Sequence, residues 1–192
     1  MSSRSRTYKA IVIGASAGGL EALEKILPVL EAGIPVPVFI VQHISASSDS
    51  YMVDYFDKKC MIRVKEAEDK ELIQAGTAYF APPDYHLLIE EDFTLSLSNE
   101  EKINYSRPSI DVLFQTAVWA YESQLIGVIL TGANNDGAAG LSQVNAAGGF
   151  TIIENPKTAL VKSMPQAAMS QSKADLILNL DKIGAQLNKL IS

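Results

Sequence analysis

A short apolar run that leads into a glycine-rich turn and a helical pattern constrains this fold more than any other feature. The apolar residues 11–13 pass directly into the turn 14–19 (GASAGG), and leucines at helical spacing follow. A strand, a glycine turn and a helix in this order direct backbone N–H groups and a helix N-terminus at an anion. Ser16 stands at the centre of the turn, as a candidate nucleophile or as a small turn residue.

Apolar runs and helical patterns alternate along the rest of the chain, which predicts an α/β fold. Residues 37–42 and 125–130 are continuous apolar runs, which is typical of strands that are buried on both faces of a parallel sheet. Residues 75–98 have no room for a crossover helix and predict antiparallel hairpins. The sequence therefore predicts a mainly parallel, doubly wound sheet with helices on both faces and an antiparallel hairpin insertion. Helices are expected at 21–30, 47–59, 110–121, 138–147, 165–171 and 183–191, and further strands at 62–65, 150–154 and 175–178.

Composition and charge narrow the class of protein. With 192 residues, 47% of them hydrophobic, the chain is expected to form one domain over 1–192 with a polar tail at 1–7. A net charge of −6 argues against a nucleic-acid partner. No apolar run approaches the roughly 20 residues of a membrane span, so no membrane insertion is expected. The lone Cys60 fits a reducing compartment, and we expect a cytoplasmic protein.

Three polar residues follow predicted parallel strands at the point where each strand ends. They are Ser16 after the first strand, His43 after the second, and Asp136 in the loop after 125–130. Ligands of open parallel sheets bind beyond these carboxyl ends. A hydroxyl, an imidazole and a carboxylate are the three parts of an activated serine nucleophile, so the three residues form a candidate catalytic triad.

Each of the three residues also has a structural interpretation. A short G-x-S-x-G string is common after a strand, and the turn could bind phosphate or cap a helix. His43 alone could be a hydrogen-bonded structural histidine, and Asp136 could be the N-cap of the helix that follows it.

Cofactor binding is tested by the same residues. A dinucleotide site requires glycine at position 16 and an acidic residue at the end of the second strand, where this chain has Gln42 and His43. The Gly-Lys-Ser/Thr of a phosphate loop is absent, and no cluster of residues has metal-ligand spacing. We therefore expect no cofactor and no metal.

Taken in order, these motifs resemble the catalytic domain of the CheB family of chemotaxis protein-glutamate methylesterases. The resemblance covers roughly residues 8–180. It is carried by GASAGG at 14–19, VQH at 41–43, APPDYH at 81–86, RPSIDVLF at 107–114, LTGANNDGAAGL at 130–141 and SMPQAA at 163–168.

The resemblance implies hydrolysis of γ-glutamyl methyl esters on the cytoplasmic helices of chemoreceptors, and in some members deamidation of glutamine. Ser16 would be the nucleophile, His43 the general base and then the general acid, and Asp136 the carboxylate that orients His43. The oxyanion donors would be backbone N–H groups, with the loop at Ala133 as the first candidate and the turn after Ser16 as the second.

Several positions depart from the family pattern. Members of the family usually carry an N-terminal receiver domain whose phosphorylation relieves inhibition. The first predicted strand begins near Tyr8, so we expect a catalytic domain without this receiver domain. Its activity would be constitutive or controlled by a separate regulatory protein. Ala133 and Asn134 stand where methionine and glycine are usual, and Tyr55 stands about where an arginine is expected. A non-enzymatic signalling or binding module of the same fold is therefore the alternative hypothesis.

Overall fold

The computed structural model describes residues 7–43 and 51–192, which form nine strands and six α-helices. The strands are β1 (Ala10–Ala15), β2 (Val38–Gln42), β3 (Arg63–Glu66), β4 (Thr77–Phe80), β5 (His86–Ile89), β6 (Leu95–Ser98), β7 (Leu125–Ile129), β8 (Phe150–Glu154) and β9 (Leu176–Leu178). The helices are α1 (Gly19–Ile26), α2 (Tyr51–Lys59), α3 (Ile110–Tyr121), α4 (Ala138–Ala146), α5 (Ser163–Gln171) and α6 (Leu180–Ile191).

Seven strands form one parallel sheet in the order β3-β4-β2-β1-β7-β8-β9. The chain moves from β1 to β2 on one side and places β7 on the other side of β1, so the strand order reverses between β1 and β7. Strands β5 and β6 form a separate antiparallel hairpin. The predicted fold class is confirmed, and the point of reversal is where open α/β sheets bind their ligands.

Alternating side chains of the central strand β1 enter two different cores. Ile11 and Ile13 belong to the apolar cluster that includes residues of α1, α2 and α6. Ala10 and Val12 belong to the cluster that includes residues of α3, α4, α5 and the hairpin. Because both faces of the sheet are covered at its centre, the strands β1, β2 and β7 are fully buried and almost wholly apolar, as the continuous runs indicated. None of the described helices is long and apolar enough to cross a membrane.

The position of β4 differs from the prediction. Residues 77–80 were expected in an antiparallel hairpin, but β4 lies between β2 and β3 and is parallel to both. A loop over 67–76 makes the crossover from β3 without a helix, so the lack of room for a helix does not exclude a parallel strand at this position. Leu20, the first of the leucines at helical spacing after the glycine turn, is 44% exposed and does not belong to the buried face of α1. The first residues of the helix expected at 47–59 lie outside the described residues.

Candidate active site

The ends of β1, β2 and β7 lie side by side and bring the turn at Ser16, His43 and the loop after β7 together. The backbone N–H of His43 donates to the Ala15 carbonyl at 3.0 Å, and the N–H of Ser16 donates to the Thr131 carbonyl at 3.0 Å. The Gln42 side-chain amide donates to the carbonyls of Ser16, at 2.9 Å, and His43, at 3.0 Å. These contacts fix the backbones of the first two candidate residues relative to each other.

His43 and Asp136 are in direct contact. The imidazole Nε2 and the carboxylate Oδ2 are 2.9 Å apart, and the Asp136 side chain is completely buried whereas that of His43 is 14% exposed. The other ring nitrogen, Nδ1, lies 3.3 Å from the amide nitrogen of Asn134. No hydrogen bond joins the Ser16 hydroxyl to any residue within 7–43 and 51–192. Within the described residues, the structure therefore brings the side chains of His43 and Asp136 into contact and makes no hydrogen bond between the side chains of Ser16 and His43.

The N-terminus of α3 holds the Asp136 carboxylate. Its oxygens accept the backbone N–H groups of Ile110 at 2.7 Å and Asp111 at 3.1 Å, and the hydroxyl of Ser109 at 2.9 Å. Burial alone would raise the pKa of Asp136, but the hydrogen bonds from His43 and these amides outweigh it and lower the pKa below its ordinary value. Asp136 is therefore a carboxylate, and it can stabilise a positive charge on His43.

The N-terminus of each of the helices α3 and α4 binds a carboxylate from the other segment: Asp136 lies at the start of α3, and Asp111 lies at the start of α4. Asp111, in the first turn of α3, accepts the N–H groups of Gly137 at 3.0 Å and Gly140 at 2.7 Å, at the start of α4. Burial and the charge of Asp136 raise the pKa of Asp111. Asp136 is thus not the N-cap of the helix that follows it, because Gly137 takes that position with φ of 92°. Its carboxylate lies instead at the N-terminus of α3.

Two glycines allow the backbone to approach Ser16 closely. Gly18 has φ of 78°, a conformation that favours glycine, and it turns the chain into α1. A Cβ added at Gly132 would lie 2.9 Å from the Ser16 Cβ. The N–H groups of Ala17 and Ala133, the two predicted sources of oxyanion donors, make no hydrogen bond to any described residue. Both amides are therefore available as donors beside the Ser16 turn.

The second histidine, His86, and the lone cysteine, Cys60, lie outside this site. His86 is buried, accepts the Ser109 N–H at Nδ1 at 3.1 Å, and contacts the Glu101 carbonyl through Nε2 at 3.0 Å, so it connects the hairpin to α3. Burial raises the pKa of the Cys60 thiol to about 11, which keeps it protonated at neutral pH. Within the described ranges, no group of three His, Cys, Asp or Glu side chains could hold a metal ion.

Three polar residues surround the His43–Asp136 pair and had no role there in the sequence-based prediction: Ser109, Asn104 and Asn134. The Asn104 amide donates to Asp111 at 2.9 Å and to Asp136 at 3.4 Å. The serine that precedes α3 was a usable signal, because the free N–H groups at a helix N-terminus bind anions and a serine hydroxyl there can donate to the same anion. Asn104 lies in an irregular loop and gave no such signal.

Tyr55, which stands about where an arginine is usual, is bound to its neighbours on the surface. Its hydroxyl donates to the Glu24 carboxylate and accepts from the Lys59 ammonium at 2.6 Å. The hydrogen bond between Tyr55 and Glu24 joins α2 to α1. A phenol cannot supply the permanent positive charge of an arginine, so Tyr55 cannot bind an anionic group as an arginine at this position would.

Glu154, at the carboxyl end of β8, is a buried acid behind the Ser16 turn. Its Oε2 accepts the Thr131 N–H at 2.8 Å, and the Thr131 carbonyl in turn accepts the Ser16 N–H. Burial raises the pKa of Glu154, although the Thr131 amide and the charge of Lys25 oppose the shift. Folding therefore favours the protonated form of Glu154. Its ionisation costs stability as the pH rises above the ordinary pKa of a glutamate.

We expect Glu154→Gln to raise the Tm at pH 7 and to leave it unchanged near pH 4. An acid with a raised native pKa stabilises the fold fully below its unfolded pKa, and this contribution is lost as the pH rises through the native pKa. The amide resembles the protonated acid and has no charge to lose. Thermal unfolding at both pH values measures the difference, with the exposed Glu91→Gln as control. A variant that melts below the wild type at pH 7 would contradict the assignment.

Comparison with known proteins gives one consistent family. The family model described as CheB methylesterase matches residues 11–187. A protein of Leptospira interrogans is 52% identical over 176 residues, which are 92% of this chain and 91% of the relative. The protein-glutamate methylesterase/protein-glutamine glutaminase of Clostridium acetobutylicum is 34% identical, and the match covers 97% of this chain but only 54% of that relative. The crystal structure of the Thermotoga maritima CheB methylesterase catalytic domain matches with a TM-score of 0.91 and 35% identity, over 96% of this chain and 99% of that one.

Proposed function

Because this chain belongs to the CheB methylesterase family, we propose that it hydrolyses glutamyl methyl esters on chemoreceptors and releases methanol. The observation that carries the proposal is the His43–Asp136 contact of 2.9 Å at the strand-order reversal, beside the turn that holds Ser16. Ser16 is the nucleophile, His43 the general base and Asp136 the carboxylate that orients it. The family match over residues 11–187 supports one catalytic domain over most of this chain.

Acylation begins when the Ser16 hydroxyl attacks the ester carbonyl carbon. The hydroxyl proton passes to Nδ1 of His43, the nitrogen that does not face Asp136, and the buried carboxylate stabilises the resulting imidazolium. The tetrahedral intermediate then expels its methoxy group, which takes the proton from His43 and leaves as methanol. The product of this half of the reaction is an acyl-enzyme ester between Ser16 and the glutamyl side chain.

A water molecule then hydrolyses the acyl-enzyme ester, with His43 again as the base and then the acid. His43 takes a proton from the attacking water, and the second tetrahedral intermediate expels the Ser16 oxygen, which recovers its proton. The products are the free enzyme and the glutamate carboxylate, with one proton released to solvent. A glutamine side chain would react in the same way with ammonia as the leaving group, in keeping with the second part of the relatives' names.

The negative oxygen of each intermediate requires donors that are already in place. The Ala133 and Ala17 amides suit this role, because they flank Ser16 and bond to no described residue. Loss of one such donor typically costs about 10²–10³ in rate. Because the proposed substrate is the cytoplasmic part of a receptor, the proposed location of the protein is the cytoplasm.

Release of methanol from a methyl-labelled receptor fragment tests this function directly. The purified protein is incubated with the fragment, and volatile label is counted over time against a sample without enzyme. Heat-unfolded protein is the control for contaminating activity. We expect release that requires the folded protein, whereas label no greater than the blank would favour the non-enzymatic module.

A further inference from the structure

The Asn134 side chain bridges the two partners of the proposed catalytic pair. Its amide nitrogen lies 3.3 Å from Nδ1 of His43, and its carbonyl oxygen accepts the backbone N–H of Asp136 at 3.2 Å. His43 is therefore held at both ring nitrogens, by the Asp136 carboxylate at Nε2 and by the Asn134 amide at Nδ1. Neither contact involves Ser16.

The hydrogen-bonding groups determine which way the Asn134 amide faces. The Asp136 N–H can only donate, so it requires the Asn134 oxygen, and the NH₂ group must then face His43. An NH₂ group can only donate, so Nδ1 must carry a lone pair. The proton is accordingly on Nε2, where the Asp136 carboxylate accepts it. This tautomer is the one that a base between Asp136 and a nucleophile requires.

We propose that Asn134 is a reversible cap on the general base. Its NH₂ group occupies the Nδ1 lone pair that must take the Ser16 proton, so Ser16 becomes a nucleophile only when the Asn134 amide withdraws. The inference rests on the proposed function, since it assigns the same base and nucleophile. Asn134 is a positioning residue: it fixes the tautomer of His43 and competes with Ser16 for one lone pair.

The surroundings of Asn134 fit a group that withdraws. The side chain is only partly buried, in the exposed loop 133–135 between β7 and α4. Its two hydrogen bonds to described residues are at 3.2 and 3.3 Å, at the long end of the normal range.

Two substitutions of opposite hydrogen-bonding character test the cap. Asn134→Ala removes the donor and frees the lone pair, and we expect Ser16 to react roughly two- to tenfold faster with a fluorophosphonate, the range set by one neutral hydrogen bond. Asn134→Asp keeps the shape but can only accept, so it retains a proton on Nδ1, and we expect acylation at least about tenfold slower. Asn135→Ala, at the neighbouring exposed residue, is the control and should react at the wild-type rate.

Imidazole ¹⁵N chemical shifts supply a readout that does not depend on activity. We expect the Nδ1 signal of His43 to shift towards that of an unbonded lone pair in Asn134→Ala and towards that of a protonated nitrogen in Asn134→Asp. His86 is the internal reference, because its Nδ1 accepts the Ser109 N–H and should not change.

The outcomes separate the cap from the proposed function. An unchanged Nδ1 signal in Asn134→Ala, or slower acylation of that variant, would overturn the cap even if the enzyme is active. If neither wild type nor variant reacts with the reagent, the proposed function fails, and the Nδ1 shifts alone decide whether Asn134 occupies the lone pair.

Discussion

Ser16→Ala is expected to lower kcat for methanol release by at least about 10⁴-fold, and His43→Ala by a similar factor. The alanine at 16 has no oxygen to form the acyl-enzyme, and the alanine at 43 leaves no group to take the proton of the hydroxyl. Ser16→Ala leaves the contacts of the turn in place, because Ser16 uses its backbone N–H and carbonyl in them. His43→Ala also removes the side-chain contacts to Asp136 and Asn134, but it keeps the backbone N–H bond to Ala15. KM should therefore change far less than kcat.

The double variant gives a sharper test than either single substitution. Residues that act as one unit lose their contribution together, so Ser16→Ala with His43→Ala should be no slower than either alone. Ser170→Ala is the matched control, since this exposed hydroxyl donates to the Ala167 carbonyl of its own helix and to no other residue among those described. Methanol release at several substrate concentrations is measured for the wild type and all four variants. Losses that multiply in the double variant would show that the two residues act separately.

The sequence could predict the strand ends of this site because parallel sheets leave few alternatives. Continuous apolar runs identify strands that are covered on both faces, and the polar residue after each run must lie at the carboxyl edge. Ser16 and His43 lie on adjacent strand ends for this reason, and Asp136 follows β7 on the other side of β1. Composition and spacing could not show that β4 enters the same sheet, because its crossover is an irregular loop.

The surroundings of the site depend on contacts that sequence patterns do not encode. Asp136 is held by Ser109 and the first amides of α3, about 26 residues earlier in the chain. The sequence gives no register between the two helices, so it could not pair Asp136 with α3 or Asp111 with α4. Asn134 was visible as a departure from the family pattern, but its position against His43 depends on the conformation of the loop.

Asp136→Asn is expected to lower kcat by about 10⁴-fold while the protein remains folded. The carboxylate accepts from Nε2 of His43 and Ile110 at one oxygen, and from Ser109 and Asp111 at the other. An amide must turn its NH₂ towards one of these sets, so donors face donors whichever way it is oriented. His43 then loses the partner that fixes its tautomer and stabilises its charge.

The same substitution should cost about 1–3 kcal/mol of unfolding free energy at pH 7, because buried donors lose their acceptor. Since the pKa of Asp136 is lowered in the folded protein, its stabilisation is present above the unfolded pKa and is lost as the pH falls through the native pKa. The difference between wild type and Asp136→Asn should therefore shrink in acid. Denaturant unfolding at pH 7 and at progressively lower pH measures it.

A control at the opposite end of the sheet separates lost stability from lost catalysis. Asp175 accepts the backbone N–H and the hydroxyl of Thr151, both at 2.8 Å, near the start of β8. Asp175→Ala should destabilise the fold because the N–H and hydroxyl of Thr151 lose their acceptor, and it should retain wild-type kcat well below its Tm. If Asp136→Asn loses stability but keeps kcat within about tenfold of the wild type, Asp136 supports the fold alone, and His43 is oriented by other groups.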